Sequence, residues 1–255
     1  MTRRELRIVN PNTDPRVTRW LREEASRVAG DAFEVVAVNA DSGLPAIQTP
    51  AEIEFAARAV LSSISAPPRP WGAVVAAFGD PGLSEARALG STPVVGLGEC
   101  GLLAAGLGGR RFSIVTLGAA MRETILAKVA SLGLSGQLAG VRFLPFSIAE
   151  LIGDRQAWRG AIAAAVRACA EEERAEAVLL GGAPFAGLAA SLAKETGGAV
   201  LDGVEASVAR LAGPAGMARR LFRSRRLSAS LDFCLCDRPQ SSMLGSARGN
   251  RCPAR

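Results

Sequence analysis

The 255-residue chain contains no histidine and no tyrosine. Their absence removes Ser-His-Asp and Cys-His nucleophiles, His-based zinc sites and any tyrosine acid. Lysine is scarce as well. Of 30 basic residues only Lys128 and Lys194 are lysines, so there is little choice for a Schiff-base or pyridoxal lysine. No G-x-G-x-x-G follows the first strand candidate and there is no P-loop, so nucleotide-binding folds gain no support. No stretch reaches about 18 uninterrupted apolar residues, the length a membrane span needs. The charged start, Met1 to Leu6, is not followed by an apolar segment, so no secretion signal is expected. The five cysteines are odd in number and irregular in spacing, which argues against a disulfide framework, and Cys234-x-Cys236 is not a C-x-x-C pair. A reducing, cytoplasmic setting fits these features best.

What is present points to a folded α/β protein. Hydrophobic residues make up 49% and charged residues 21%, enough for a sizeable core. The length suits one large or two small domains. The net charge of +6 is concentrated at one end. From Gly213 to Arg255 there are nine arginines and two aspartates, so the preceding 212 residues carry a net −1. A broad basic face is therefore missing, and neither a nucleic-acid nor a membrane partner is expected of the body. The basic stretch Met217–Arg226 reads as a solvated helix or arm, with surface binding the less favoured alternative.

Short Val- and Ile-rich runs alternate with helical patterns along the chain. Leu6–Val9, Phe33–Val38, Ala73–Ala77 and Pro93–Gly96 read as strands, and so do Phe112–Thr116, Val141–Leu144, Ala177–Leu180 and Ala199–Leu201. Helices are expected from Thr13 or Asp14 to Gly30, from Pro50 to about Ile64, up to Leu89, from about Glu99 to Ala105, over Ala120–Leu132, over Asp154–Glu173 and from Val204 to Leu211. Such alternation implies parallel strands covered by helices. The strand order also recurs. Ile8 matches Ile114, Val35–Val38 match Val141–Leu144, and Val95 matches Leu201, each 106 residues on. The turn matches at 105, pairing Ala77 with Gly182. Four matches in register favour an internal duplication over regular βα spacing alone. The expected architecture is two pseudo-symmetric parallel-sheet halves, residues 1–100 and 101–212, followed by a poorly ordered basic tail, 213–255.

Ligands of open parallel sheets bind beyond the carboxyl ends of the strands. A duplicated fold would turn both sets of loops toward one cleft. Asn10-Pro-Asn12-Thr13 would offer amides and a hydroxyl there, suited to carboxylate or imide oxygens, although a plain helix cap explains Thr13 and Asp14 equally well. Phe78-Gly79-Asp80-Pro-Gly82 and Gly181-Gly182-Ala183-Pro184 would bring backbone close to a ligand, although a tight turn capped by Asp80 with Pro81 opening the helix is a strong alternative. A small molecule bearing such oxygens is the expected partner, and self-association is left open.

These motifs together resemble the aspartate/glutamate/hydantoin racemase family, in its hydantoin and allantoin racemase branch. The matching pieces are Ile8–Thr13, Phe78–Leu83, Pro93–Glu99, Phe112–Thr116, Leu180–Leu188 and Leu201–Val204, in order over roughly residues 5 to 212. The resemblance implies cofactor-free proton transfer next to a carbonyl, with one thiol in each half working from opposite sides of the substrate. It also implies substrate contacts from Asn10, Asn12, Thr13, Phe78, Gly79, Asp80, Thr116, Gly181 and Ala183. The chain departs from the pattern at both thiol positions, where it carries Ala77 and Gly182. The expectation is a family member that acts on or binds a hydantoin-like or amino-acid derivative without the standard two-cysteine chemistry. The alternative is a binding or regulatory relative.

Overall fold

A computed structural model describes residues 3–41 and 43–213. The basic stretch Met217–Arg226 and the cysteines at 234, 236 and 252 lie outside the described residues. The first half runs β1 (Arg4–Asn10), α1 (Pro15–Ala29), β2 (Phe33–Asn39), α2 (Pro50–Ser65), β3 (Gly72–Val75), α3 (Leu83–Ala88), β4 (Val94–Gly96) and α4 (Leu97–Ala105). The second half runs β5 (Phe112–Thr116), α5 (Arg122–Ser131), β6 (Leu138–Phe143), α6 (Ile148–Gly153), α7 (Arg159–Glu171), β7 (Ala177–Gly181), α8 (Ala189–Thr196), β8 (Ala199–Asp202) and α9 (Gly203–Ala212). Each half builds a four-stranded parallel sheet, ordered β2-β1-β3-β4 and β6-β5-β7-β8. The fold is α/β with two such sheets, as the alternating pattern implies.

Local chemistry explains the element ends. Asp14 caps α1 by accepting from the Arg16 amide, with Pro15 in the first turn. Thr49 and Glu52 form a reciprocal capping box at the start of α2. The far end of α2 is held by a buried arginine on β1. Arg7 donates to the carbonyls of Ser63, Ala66 and Pro68 at 2.7–3.1 Å and pairs with Glu5, so orphan carbonyls of the last turn find donors inside the protein.

The strands are apolar because both faces are covered. Leu6, Ile8 and Val9 of β1, and Phe112, Ile114 and Val115 of β5, are essentially inaccessible. Each side chain of this size is worth about 1.5–3 kcal/mol when fully buried. Two helices tie the halves together. From α4, Leu97 and Cys100 join the core under the first sheet, while Leu102 and Ala105 join Phe112, Ile114 and Leu179 of the second. From α9, at the end of the second half, Val204, Ala206 and Val208 return to the first core. The two helices meet closely at Gly203, where a Cβ would lie 2.4 Å from the Leu97 carbonyl oxygen. Only glycine fits there.

Three details differ from the sequence reading. The long helix expected over 154–173 is present but shorter, running as α7 from Arg159 to Glu171. Asp154 follows the short α6, and its carboxylate accepts from the amides of Gln156 and Ala157, making a turn before α7 begins. The third strand ends at Val75, which leaves Ala77 in the turn beyond it. The pairing register equates Ile8 with Ile114, Val74 with Leu179 and Val95 with Leu201, at offsets of 106, 105 and 106. For the second strand it equates Ala37 with Val141, at 104 rather than 106. A slip of two residues keeps the same faces, so the apolar pattern alone does not detect it.

Candidate functional site

A cavity of about 80 Å³ opens between the halves at the carboxyl ends of β1, β3, β5 and β7. That is room for a small ring or a few waters, since a water's share of liquid volume is about 30 Å³. The first half contributes Asn12, Ala46 and Ile47 from loops, Ile53 of α2, Ala76–Gly79 from the turn after β3, and Leu102 of α4. The second half contributes Thr116 and Leu117, the α5 face formed by Met121, Thr124, Ile125 and Lys128, Ile148 of α6, and Gly181–Phe185 after β7.

Of the residues singled out from the sequence, Asn12, Ala77, Phe78, Gly79, Thr116, Gly181, Gly182 and Ala183 all line this one cavity. Asn10, Thr13 and Asp80 do not. Asn10 is buried and holds the loop from within, donating to Asn12 Oδ1 at 2.8 Å and Thr18 Oγ1 at 2.9 Å. The Thr13 amide is tied to the Leu44 carbonyl at 3.0 Å. The loops after β4 and β8, Gly96–Glu99 and Asp202–Glu205, stay outside the lining as well, because they begin the two helices that join the halves.

Asp80 caps a helix, but not the one that follows it. The residue ahead of α3 is Gly82, in the left-handed region, with no side-chain cap. Asp80 instead turns its carboxylate to the start of α4, accepting from the amides of Gly98 and Glu99, both at 2.8 Å. Its Oδ2 also lies 2.5 Å from Lys128 Nζ. Burial pushes this carboxyl upward in pKa, while the Lys128 ammonium and the two amides oppose the shift.

Residues carrying polar groups enter the lining from both halves. Asn12 Oδ1 is occupied by Asn10 Nδ2 and the Asp14 amide, so its NH₂ has no protein acceptor among the described residues. The backbone amides of Phe78, Gly79 and Gly182 and the Thr124 hydroxyl are likewise without protein partners there. Thr116 Oγ1 donates to the Gly181 carbonyl at 2.6 Å, bracing the turn after β7. Among the described residues Lys128 is the one titratable side chain in the lining.

Positions 77 and 182 are the two at which the resemblance implies thiols. Ala77 and Gly182 both face the cavity and neither bears a titratable atom. Gly182 adopts φ +143°, a conformation L side chains rarely take, although a Cβ there would meet nothing closer than 3.6 Å. Thus the turn has space for a side chain but a backbone suited to glycine. The two described cysteines offer no substitute. Cys100 and Cys169 are buried outside the lining, and burial pushes both thiols up to about 12. No group of three or more potential metal ligands occurs among the described residues.

The sequence reading missed the α5 face, Lys128 above all. Residues 121, 124, 125 and 128 share one helical stripe, and that spacing was available. What was not visible is that this stripe, whose Met121 and Ile125 pack on the second half's own sheet, also carries Lys128 across to the first half's turn.

Two parallel α/β sheets with an interdomain cavity at their strand ends define the class of protein. Residues 6–211 match the Asp/Glu/Hydantoin racemase family, and the chain belongs to it. It is 31% identical over 206 residues to a hydantoin racemase of Pseudomonas sp. strain NS671, spanning 80% of this chain and 83% of that one. Among solved structures, the allantoin racemase from Klebsiella pneumoniae superimposes with a TM-score of 0.79 at 28% identity, covering 84% of this chain and 88% of that one. The allantoin racemase from Pseudomonas fluorescens gives 0.76 at 26%, covering 89% and 99%. No helix among the described residues is long and apolar enough to cross a membrane.

Proposed function

We propose that the cleft binds a small hydantoin-like ring or amino-acid derivative through its carbonyl oxygens, and that it does so without two-base racemisation. One observation carries this reading: Ala77 and Gly182 line the same cavity from opposite halves, and neither can hold a proton. Racemisation takes a proton from one face of a carbon and returns one to the other, so two carriers must flank the substrate. Here the flanks are a methyl group and a glycine. The donors that would meet the ligand's carbonyl oxygens are the Asn12 NH₂, the amides of Phe78, Gly79 and Gly182, and the Thr124 hydroxyl. Such donors suit the oxygens of an imide or ureide ring. The relatives act on hydantoins and allantoin by name, which supports a ring of that size.

The test is calorimetric titration with 5-methylhydantoin. Saturable binding is expected for the native chain and its loss in Ala77→Phe, which fills the cavity from the first half. No binding by a folded native chain, or equal binding by the filled variant, overturns the reading.

A further inference from the structure

Lys128 is joined to the first half by an ion pair that the family resemblance did not foreshadow. It sits on α5 of the second half, four residues after Thr124, and both line the cavity. Its ammonium reaches across to the turn after β3, donating to Asp80 Oδ2 at 2.5 Å and to the Phe78 carbonyl at 3.3 Å. An ammonium has three donors, and two are used. The side chains of the pair are 19% and 3% exposed, so the contact is largely shielded from water.

We propose that Lys128 is a specificity-determining residue of the cleft, giving its third N–H to a ligand oxygen while its charge is consumed by Asp80, so that the site selects neutral rings over carboxylate anions. This rests on the binding reading above and names the ligand class it admits. The charge count around the cavity supports it. Among the described residues no other lysine or arginine lines it, and no aspartate or glutamate does. A carboxylate entering would be desolvated without a free cation to meet it. A zwitterionic amino acid fares no better, because Asp80 lies outside the lining and its charge is already paired with Lys128. A neutral carbonyl needs only a donor, and an ammonium N–H is a strong one.

The experiment titrates two probes, neutral 5-methylhydantoin and anionic N-carbamoylalanine, against the native chain, Lys128→Met and Lys128→Arg, with folding checked by circular dichroism. The native chain should favour the ring by about tenfold or more. Lys128→Met should weaken ring binding about tenfold, the scale of one hydrogen bond to a charged donor, and Lys128→Arg should recover part of it. Ring binding unchanged in a folded Lys128→Met overturns the proposal while leaving the binding reading intact. A native chain that prefers the anion overturns it without any variant. A native chain that binds neither probe overturns both.

Discussion

The two halves share a strand order and a helix placement, yet they cap their joining helices with carboxylates from different parts of the chain. At the start of α4 the carboxylate is Asp80, sent from the turn after β3 and paired with Lys128. At the start of α9 it is Asp202, the cap residue itself, which accepts from the Glu205 amide at 2.9 Å and reaches back to the Gly187 amide at 3.2 Å. Asp202 has no such lysine. Burial, then the charge of nearby Glu24, pushes its carboxyl up to about 6, against the two amide hydrogen bonds. The backbone is therefore close to symmetric while the charge is not, and only the first half's turn is bound to a cationic side chain in the cavity.

Removing the first carboxylate should break the comparison most severely. Asp80→Ala strands the amides of Gly98 and Glu99 and deprives Lys128 of its partner, and should cost about 3 kcal/mol or more in chemical denaturation. An effect below 1 kcal/mol would mean the pair does not join the halves.

The second carboxylate should show itself through pH. A folded-state pKa near 6, above the ordinary 3.8, means the folded protein holds a proton that the unfolded chain has released. That contribution is complete below about pH 4 and is lost as pH rises through 6, on the order of 2 kcal/mol. Asp202→Asn should flatten this part of the stability–pH curve. An identical slope in the variant would place the titration elsewhere.

The smallest expected effect separates the two cavity positions. Gly182→Ala forces a side chain onto φ +143° and should cost about 1–2 kcal/mol. Ala77→Ser, at an ordinary backbone, should change stability by less than about 1 kcal/mol. Equal costs would show that the turn after β7 relaxes freely and that its glycine is not required.

Much of this arrangement was legible in the sequence. The strands declared themselves because parallel strands buried on both faces are continuous apolar runs, and the near-constant offset of Ile8 to Ile114 and Val95 to Leu201 marked the repeat. That placed Ala77 and Gly182 at matching strand ends. What stayed hidden depends on tertiary geometry. The side chain of Asp80 could have capped the adjacent helix, and nothing local says that it turns to α4 instead. Lys128 sits on a helix in the other half, and no spacing links it to residue 80. The helix expected from Asp154 starts only at Arg159, because the Asp154 carboxylate makes a turn with the amides of Gln156 and Ala157 that the helical apolar period masks.

The central claim is that the cleft holds a ring but lacks the flanking pair of carriers that inversion needs. It is tested most directly by following enantiopure 5-methylhydantoin in D₂O, with optical rotation and the C5 proton signal recorded together. Rotation and signal should decay no faster with the protein than in buffer alone. A decay rate rising in proportion to protein concentration would contradict the account.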